Sequence, residues 1–437
     1  MMVHVTLQDW LLYLENVYPV SIDMGLVRVN CIKEVLDLRF NCPIITVGGT
    51  NGKGSTCAIL EAILLHAGYH VGCHTSPHLI EFNERARING LNATNNELLP
   101  HFAAIESARL SLPRPVPLTY FEFTILAIMR LFASQQLDAV ILEVGLGGRL
   151  DAVNIINTDC AIITNIDLDH QNYIGDTREL IGHEKAGILR PGKPAIIGDL
   201  LPPSSVIKYA QTIGADLWLL NRDFYYKCYT VSGRRQWDYF GRSLKRSALA
   251  YPVLLGENQL LNASVAITAL EALRECLPVN AQDIRLGLAN VKLPGRFQVL
   301  PGRPVIVLDV AHNPHATAVL AKNLANMGYF QYTYLVFGAM SDKDIVSMLS
   351  YLKSNVNHWC ITELPTSRAM STIEIEQKLV TLGVTRGDCT TPLDVSIRRF
   401  KNPGLAYQDA LSRASKNDRI VVSGSFYTVS GVMSFYK

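Results

Sequence analysis

Eight short runs of apolar, largely β-branched residues recur along the chain, and each ends in small or acidic residues. They are PIITVGGT (43–50), DAVILEVG (138–145), DCAIITNID (159–167), KPAIIGD (193–199), RPVIVLDVAHN (303–313), YTYLVFGAM (332–340), HWCITEL (358–364) and RIVVSGS (419–425). After the first run, Ile59, Ala62, Ile63 and Ala67 keep helical spacing, and Gly68 is a suitable stop. Continuous apolar strands separated by helices are typical of a parallel sheet covered on both faces. The sequence therefore predicts an α/β fold.

The order of these signals also predicts how the chain divides. Mixed strand signals over 215–250 and a helical stretch over 256–273 separate the first four runs from the last four. The segment LPGRFQVLPGRP (293–304) follows, and its proline and glycine content favours a linker. The chain's 437 residues suit two or three domains. We therefore expect a larger domain over 1–295 and a smaller α/β domain over 298–437.

The charge balance argues against a nucleic-acid partner. The formal net charge is only +2, whereas a nucleic-acid-binding domain is normally clearly basic. One basic cluster exists, interrupted by Asp238 and by aromatic residues. It comprises Arg234, Arg235, Arg242, Lys245 and Arg246. Since charge runs are usually solvated, we interpret this cluster as a strand-and-turn surface.

Cysteine usage and the N-terminal segment indicate the compartment. None of the nine cysteines forms a C-x-x-C pair, so zinc and redox motifs are unsupported. An odd number of cysteines, scattered along the chain, fits reduced thiols in a cytosol. The start, MMVHVTLQDWLLYLENVYP, lacks the charge and apolar core of a signal peptide and predicts a short amphipathic helix. No apolar run reaches the roughly 18 residues of a membrane span. We expect a cytoplasmic monomer without a membrane partner.

The first strand leads into the glycine-rich loop VGGTNGKGST, which departs from the usual phosphate-binding pattern. A valine stands where G-x-x-x-x-G-K-[ST] begins, and Gly54 separates Lys53 from Ser55. The glycines still let successive backbone N–H groups form an anion nest at a helix N-terminus. Lys53 is placed to neutralise phosphate charge, and Ser55 or Thr56 to reach a magnesium ion. The alternative is a tight strand-to-helix turn, but the position between strand and helix favours phosphate binding.

Polar residues follow two further strands. The second strand ends in Glu143, where a carboxylate is placed like a magnesium ligand. The following GLGGRLDAVN matches only part of a dinucleotide loop and opens no predicted helix, so a dinucleotide site or a simple turn is the weaker alternative. The third run leads into Asp167, Asp169 and His170. His170 is a candidate metal ligand or carboxylate-orienting group, with a satisfied surface histidine as the alternative.

The remaining candidates are less specific by themselves. Lys185, in GHEKAGILRPGKP, is interpreted on its own as an ordinary snorkelling helix lysine. In DVAHNPHA, Asp309 is placed to accept from a ribose hydroxyl and His312 to lie near phosphate or substrate, while Pro314 begins a helix. Arg296 offers a planar cation for a phosphate. Helix capping alone is the alternative for this segment.

Eight motifs, taken in order, resemble one family. They are GTNGKGS, TSPHL, LTYFE, LEVGLGGRLDAVN, DHQNYIG, GHEKAGI, LPGRFQ and DVAHNP. Together they look like the folylpolyglutamate synthase/dihydrofolate synthase branch of the Mur-ligase superfamily, over roughly residues 44–427. LTYFE looks most like the bacterial bifunctional enzymes. The resemblance implies a Mur-ligase-like P-loop ATPase domain followed by a smaller Rossmann-like α/β domain.

The resemblance also implies an activity. Members are ATP- and magnesium-dependent ligases in which a pterin-linked carboxylate takes the γ-phosphoryl group and the amine of glutamate then attacks. The expected partners are ATP, two magnesium ions, dihydropteroate, reduced folates and L-glutamate. A peptidoglycan Mur ligase is a rival, but only about 45 residues precede the loop, too few for its nucleotide-sugar domain. A nucleotide-regulated binding protein is another rival, but it would need only the first domain.

The family's functional positions carry over to named residues of this chain. Nucleotide contacts are implied at Gly49, Thr50, Asn51, Gly52, Lys53, Gly54, Ser55, Thr56, Asn258, Arg296 and Asp309. Metal contacts are implied at Ser55, Ser76, Glu143 and His170, and substrate contacts at Tyr120, Phe121, His312 and Ser425. Catalytic roles are implied for Lys53, His170, Lys185 and His312. Lys185 matches the lysine that family members carry as a carbamate.

Overall fold

The computed structural model describes residues 5–18, 20, 22–256, 258–384 and 396–435. Packing of the backbone divides the chain into two compact units. The first unit comprises the residues up to Val253 and Leu260–Val291, and the second comprises Leu254–Gln259 and the residues from Lys292 onward.

The first part of the chain, up to residue 291, carries ten helices and eleven strands among its described residues. The helices are α1 (Leu7–Val17), α2 (Val27–Val35), α3 (Lys53–His66), α4 (Asn95–Ser111), α5 (Tyr120–Ala133), α6 (Gln171–Ile174), α7 (Arg178–Ala186), α8 (Ser204–Ile213), α9 (Asn258–Ala272) and α10 (Ala281–Asn290). The strands are β1 (Ile44–Gly48), β2 (Val71–His74), β3 (Ala86–Ile88), β4 (Leu91–Asn92), β5 (Ala139–Glu143), β6 (Cys160–Ile163), β7 (Pro194–Ile197), β8 (Asp216–Leu219), β9 (Tyr225–Val231), β10 (Arg234–Phe240) and β11 (Lys245–Ala250).

The main sheet of the first unit has the strand order β4-β3-β2-β5-β1-β6-β7-β8. The six strands from β2 to β8 in this order are parallel, and β3 and β4 complete one edge in antiparallel pairing. Every residue of β1, β5 and β6 is buried, as expected for continuous apolar strands covered on both faces. The prediction of β1, β5, β6 and β7 is confirmed.

The helices next to the first strand follow the sequence signals closely. Helix α3 begins directly after Gly52, and Gly68, with φ of 88°, follows its last turn as predicted. Helix α1 confirms the predicted amphipathic N-terminal helix, with Thr6 and Asp9 forming a capping box. The first four residues and Pro19 of the predicted segment lie outside the described residues.

The mixed segment over 215–250 forms β8 and a separate antiparallel sheet of order β11-β10-β9. One face of the smaller sheet is buried through Trp237, Tyr239 and Leu249. In the basic cluster Arg235, Arg242 and Lys245 are exposed, which confirms a strand-and-turn surface for these three, whereas Arg246 is half-buried. The Arg234 side chain is outside the described part of the chain.

The second unit contains a six-stranded sheet of order β12-β13-β17-β14-β15-β16, in which only β12 pairs antiparallel. Its strands are β12 (Gln298–Leu300), β13 (Val305–Leu308), β14 (Thr333–Phe337), β15 (His358–Thr362), β16 (Ser396–Phe400) and β17 (Arg419–Ser423). Its helices after residue 292 are α11 (Pro314–Ala325), α12 (Ile345–Leu352), α13 (Thr372–Thr381), α14 (Pro403–Arg413) and α15 (Phe426–Met433). The prediction of β13, β14, β15 and β17 is confirmed.

The segment predicted as a linker is more ordered than its composition indicates. Phe297 is buried at a φ of 41°, and β12 follows it directly. Gln298 pairs with Leu308 of β13, so this stretch is part of the second sheet. The buried phenyl ring anchors a segment that its prolines and glycines alone mark as irregular.

Two chain-wide features bear on the expectations about compartment. Among the described residues no helix is both long and apolar enough to span a membrane. The eight cysteines among the described residues are all free thiols, and Cys389 lies outside the described residues.

Candidate active site

The loop between β1 and α3 needs glycine at two positions. Gly52 has a φ of 84°, and a Cβ atom there would lie 2.5 Å from the side-chain oxygen of Asn262. Gly49 has a φ of 141°, and its Cβ would lie 1.9 Å from Thr164 Oγ1. No side chain fits either position without displacing a neighbour. The backbone therefore curls tightly at the helix N-terminus, as an anion nest requires.

The loop is held by the segment that follows β6. Thr50 N donates to Asn165 O at 2.9 Å, and Asn51 N donates to Asn165 Oδ1 at 2.8 Å. Thr50 Oγ1 and the backbone of Asp167 exchange two hydrogen bonds of 3.0 and 3.1 Å. Because β1 and β6 are parallel neighbours, their carboxyl ends bring these two segments together. The segment NIDLDH (165–170), which follows β6, thus supports the phosphate loop.

Two lysine amines converge on one carbonyl of the loop. Lys53 Nζ donates to Gly49 O at 3.1 Å and to Thr50 O at 3.2 Å, while Lys185 Nζ donates to Gly49 O at 2.9 Å. Lys185 is only 4% exposed, so the interpretation as a snorkelling lysine is wrong. Burial, and then the charge of Lys53, lower the pKa of Lys185 to about 7. A large share of this amine is therefore neutral and nucleophilic near pH 7.

Glu143 and Ser76 come together beside the loop. Glu143 ends β5, pairs in register with Val47 of β1 and is buried. Its Oε2 accepts a hydrogen bond of 3.1 Å from Ser76 N, just after β2. Within the described ranges no group of three or more His, Cys, Asp or Glu side chains is arranged to hold a metal. A magnesium ion here would rely on one carboxylate, hydroxyl groups, phosphate oxygens and water, a set that suits this ion.

His170 lies in an unusual backbone conformation just before α6. Its φ of 51° is in the left-handed region, which is uncommon outside glycine and concentrates at functional sites. Its side chain is one-third exposed, with Nε2 4.0 Å from Asp169 Oδ1. Asp169 is close enough to Lys185 for its charge to oppose the lowering of that lysine's pKa. The segment that follows β6 thus lies beside Lys185.

The predicted substrate residues Tyr120 and Phe121 form the first turn of α5. A Cβ on Gly145 would lie 2.7 Å from Phe121 Cζ and 3.3 Å from Asp151 Oδ2. The guanidinium of Arg85 lies 5.8 Å from the Tyr120 ring centre. The motifs LTYFE and GLGGRLDAVN therefore meet in one place. The glycine-rich segment leads only into a short 3₁₀ turn, which agrees with the expectation that no helix opens there and that a dinucleotide loop is the weaker alternative.

Sequence reasoning missed three residues of this region. Asp151 is buried, accepts from Leu146 N and Val153 N at 2.8 and 2.9 Å, and has a pKa raised by burial to about 6. Asn262 contacts Gly52 from α9, one turn after Asn258, on the same helical face. The third is His74. Asn262 lies among apolar residues of α9, and His74 ends a four-residue strand, so no local pattern marks either residue.

His74 is the last residue of β2 and is almost completely buried. Its Nδ1 lies 2.7 Å from Arg85 O, whereas Nε2 has no hydrogen-bond partner among the described residues. Burial lowers the pKa of His74 to about 3, so the ring is neutral. The imidazole lies 6.4 Å from the Phe121 ring, centre to centre.

In the second unit three predicted residues surround the ring of Phe426. The Arg296 guanidinium lies 5.0 Å from the ring centre, and the His312 ring lies 5.9 Å away. Ser425 precedes Phe426 and caps α15, where its Oγ accepts from Thr428 N at 3.0 Å. The structure therefore brings Arg296, His312 and Ser425 together, and it gives Ser425 a capping role.

Asp309 has a structural role of its own. Its two carboxylate oxygens accept hydrogen bonds of 2.8 Å from Phe297 N and Ala311 N. Burial raises its pKa, while the charge of Arg296 acts in the opposite direction. Asn313 then caps α11, which begins at Pro314 as predicted. Asp309 thus fixes the backbone at Phe297, the residue after Arg296.

A buried hydroxyl group without a hydrogen-bond partner bears on whether this loop fits a nucleotide. Thr56 Oγ1 is buried in the first turn of α3 without a partner among the described residues. A buried hydroxyl normally finds a hydrogen-bond partner, so this position suits a phosphate oxygen or a metal-bound water. Together with the glycine nest and Lys53, the residues present fit a triphosphate and a magnesium ion.

Comparison with known proteins agrees with this arrangement. Residues 47–270 match the Mur ligase middle domain, and residues 295–426 match the Mur ligase, glutamate ligase domain. The dihydrofolate synthase/folylpolyglutamate synthase of Escherichia coli (strain K12) is 41% identical over 429 residues, covering 98% of this chain and 94% of the relative.

Two solved structures are similar over nearly the whole chain. The structure of Escherichia coli FolC in complex with DHPP and ADP has a TM-score of 0.89 at 39% identity, covering 99% of this chain and 98% of that one. A bifunctional folylpolyglutamate synthase/dihydrofolate synthase with Mn, AMPPNP and L-glutamate bound has a TM-score of 0.88 at 39% identity, with the same coverage. The fold and the phosphate loop define a two-domain α/β protein of the Mur ligase class. Within that class the chain belongs to the dihydrofolate synthase/folylpolyglutamate synthase family.

Proposed function

We propose that the protein is an ATP-dependent carboxylate–amine ligase that adds L-glutamate both to dihydropteroate and to reduced folates. The observation that carries this proposal is the convergence of Lys53 and Lys185 on Gly49 O, in the loop after β1, whose Val47 pairs in register with the buried carboxylate residue Glu143. Amine donors and the N–H groups of a glycine-rich loop suit phosphoryl transfer to an anion. The ligands of the two similar structures, ADP with DHPP and AMPPNP with L-glutamate, support the substrate assignment.

The first step brings two anions together. A carboxylate oxygen of the pterin-linked substrate attacks the γ-phosphorus of ATP, which gives an acyl phosphate and releases ADP. The loop N–H groups and Lys53 offset the repulsion between carboxylate and triphosphate. Lys53 now donates to Gly49 O and Thr50 O, so its amine exchanges these carbonyls for phosphate oxygens when ATP binds.

The second step forms the amide. The amine of glutamate attacks the acyl carbon, phosphate leaves with the carbon–oxygen electron pair, and the nitrogen loses a proton. We assign His312 and Ser425 to the incoming glutamate, and Arg296, Asp309 and Asn258 to the nucleotide. The Arg296 guanidinium and the His312 ring both lie close to the Phe426 ring, at 5.0 and 5.9 Å from its centre.

Two magnesium sites belong to the proposal. Ser55 and Glu143 would hold the first ion, and His170 and Ser76 would lie at the second. Magnesium, when bound, supplies neutralisation of phosphate charge and polarisation of the acyl oxygen. The Lys185 amine is buried and partly neutral, so it can add CO₂ to form a carbamate with loss of a proton. A ¹³C-bicarbonate label should give a carbamate NMR signal that Lys185→Met lacks.

The oligomeric state and compartment complete the proposal. We propose that the protein is a monomer, and light scattering of the purified protein tests it. Free buried thiols such as Cys57, Cys73 and Cys160 suit the reducing cytoplasm.

Mass analysis of reaction products tests the function. Purified protein receives ATP, magnesium and glutamate with either dihydropteroate or tetrahydrofolate, and phosphate release is followed in parallel. We expect one added glutamate on dihydropteroate and further additions on tetrahydrofolate. Extension of tetrahydrofolate alone would remove the dihydrofolate synthase activity from the proposal. Nucleotide binding without phosphate release from either mixture would favour a nucleotide-regulated binding protein.

A further inference from the structure

The inference concerns the unpaired nitrogen of His74. In folded proteins nearly all buried polar side-chain atoms have a hydrogen-bond partner, and an exception calls for an explanation. His74 Nε2 is such an exception among the described residues. The residue lies at the carboxyl end of β2, the edge of the sheet where the phosphate loop also lies. The exception is therefore at the functional end of the sheet.

The ring's other nitrogen determines what Nε2 can do. Nδ1 lies 2.7 Å from Arg85 O, and a carbonyl only accepts, so Nδ1 carries the proton. In this tautomer Nε2 has a lone pair and can only accept a hydrogen bond. The matching ligand group is a donor such as a ring N–H or an exocyclic amine. Phosphate and carboxylate groups, which carry no proton here, do not match.

The surroundings of the imidazole point to the pterin side of the site. The register pairs His74 with Leu142, whose side chain belongs to the hydrophobic core that also includes α5. His74 therefore faces α5, and its ring lies 6.4 Å from that of Phe121, a residue of the proposed substrate region. Glu143, the next residue on β5, points to the opposite face because side chains alternate along a strand. The metal and phosphate chemistry thus lies on the other face from His74.

We propose that His74 Nε2 accepts a hydrogen bond from an N–H group of the pterin head, which reaches it when the Phe121 ring turns aside. This inference rests on the proposed function and adds a residue that determines recognition of the heterocycle. This hydrogen bond forms only when the pterin is bound, so it stabilises the complex relative to the free protein. His74 binds and orients the pterin, and it takes no part in phosphoryl transfer.

Two substitutions separate the nitrogens of the ring. His74→Gln places an amide group near the position of Nε2, whereas His74→Asn reaches only the position of Nδ1. His74→Phe keeps the ring shape and removes both nitrogens. Steady-state kinetics should give a KM for dihydropteroate raised about three- to tenfold in His74→Asn and His74→Phe, the loss expected for one neutral hydrogen bond. His74→Gln should stay within about twofold, with kcat and the KM for ATP unchanged in all three.

A direct readout uses protein labelled with ¹⁵N in histidine. The Nε2 signal of wild-type His74 should move upfield when dihydropteroate is added, and it should stay in place with ADP alone. An unmoved signal with bound dihydropteroate overturns the inference. Equal KM values in wild type and His74→Asn, or equal losses in His74→Asn and His74→Gln, overturn it as well. If wild-type protein neither binds nor extends any pterin, the proposed function itself fails, which is a separate result.

Discussion

At the scale of single residues, the buried amine of Lys185 makes stability depend on pH. Its pKa is about 7 in the folded protein, against 10.5 for an exposed lysine. Between these values the unfolded chain binds more protons than the folded one, so the free energy of unfolding rises with pH. Below pH 7 the full cost of burying the charged amine is present. Lys185→Met should therefore be more stable than wild type at pH 6, by a margin that shrinks as pH rises from 7 toward 10.

Denaturant unfolding of both proteins at pH 6, 7, 8 and 9 measures this margin. CO₂-depleted buffers keep the amine unmodified during the comparison. Lys208→Met, an exposed lysine on α8, is the matched control and should show a margin independent of pH. A constant difference between Lys185→Met and wild type would contradict the lowered pKa.

Thr56 offers a second test at the residue scale. Its Oγ1 is buried without a partner, so Thr56→Val removes an unsatisfied group at almost constant shape. We expect the free energy of unfolding to stay equal or rise by up to about 1 kcal/mol. The KM for ATP should rise about tenfold, because a hydrogen bond to a charged phosphate is lost. Thermal unfolding and ATP titration give both values.

The control is Thr212→Val on α8, whose exposed hydroxyl donates to Lys208 O. It should leave the KM for ATP unchanged. Loss of stability in Thr56→Val together with an unchanged KM would mean that the hydroxyl has a partner within the protein.

At the scale of elements, the turn from β1 into α3 depends on Gly52. Gly52→Ala forces a side chain onto a φ of 84° and toward Asn262, whereas Gly214→Ala meets a φ of 70° with nothing within 4 Å. Both substitutions should cost about 1 kcal/mol of stability from left-handed strain. Only Gly52→Ala should also weaken nucleotide binding, by about tenfold, since the loop must shift away from Asn262. Calorimetric titration with ADP measures the affinity of each variant, and equal affinities would contradict the nest.

The strands that were predictable share one property, which is burial on both faces. Strands such as β1 and β5 are continuous apolar runs, so composition alone identifies them. Strand β2, VGCH, contains a glycine and ends in a histidine, and β12 has only three residues, so neither stands out as an apolar run. Phe297 shows most clearly where prediction from composition fails. Its burial holds in place a segment whose glycines and prolines predict a linker.

At the scale of the whole molecule, the candidate site combines residues that are far apart in sequence. Lys185 and Gly49, separated by 136 positions, share a hydrogen bond that no local pattern reveals. The sequence by itself suggested a snorkelling lysine, and only the family resemblance singled this residue out. Glu143 was predictable because strand ends meet at one edge of a parallel sheet. His74 and Asn262 were not, since the contacts that single them out are with Phe121 and Gly52, which are distant in sequence.

The global consequence of the phosphate loop is that nucleotide binding should stabilise the entire fold. A ligand at 100 times its Kd raises the free energy of unfolding by about 2.7 kcal/mol. We expect AMPPNP with magnesium to do so for the wild-type protein. Lys53→Ala should lose most of this gain and all turnover, because Lys53 is the loop's own cation next to the phosphates. Its ligand-free stability should stay within about 1–2 kcal/mol of wild type, because the two hydrogen bonds that Nζ makes to described residues both go to carbonyls of its own loop.

Denaturant unfolding with and without AMPPNP measures the gain, and the exposed Lys208→Ala on α8 is the control that should retain all of it. A Lys53→Ala protein that is unfolded without ligand would show that the lysine is structural. A variant that keeps the full gain would place the triphosphate elsewhere. We expect Lys53→Ala to be folded but no longer stabilised by nucleotide. Measuring this variant with and without AMPPNP separates a structural role of Lys53 from a role in nucleotide binding.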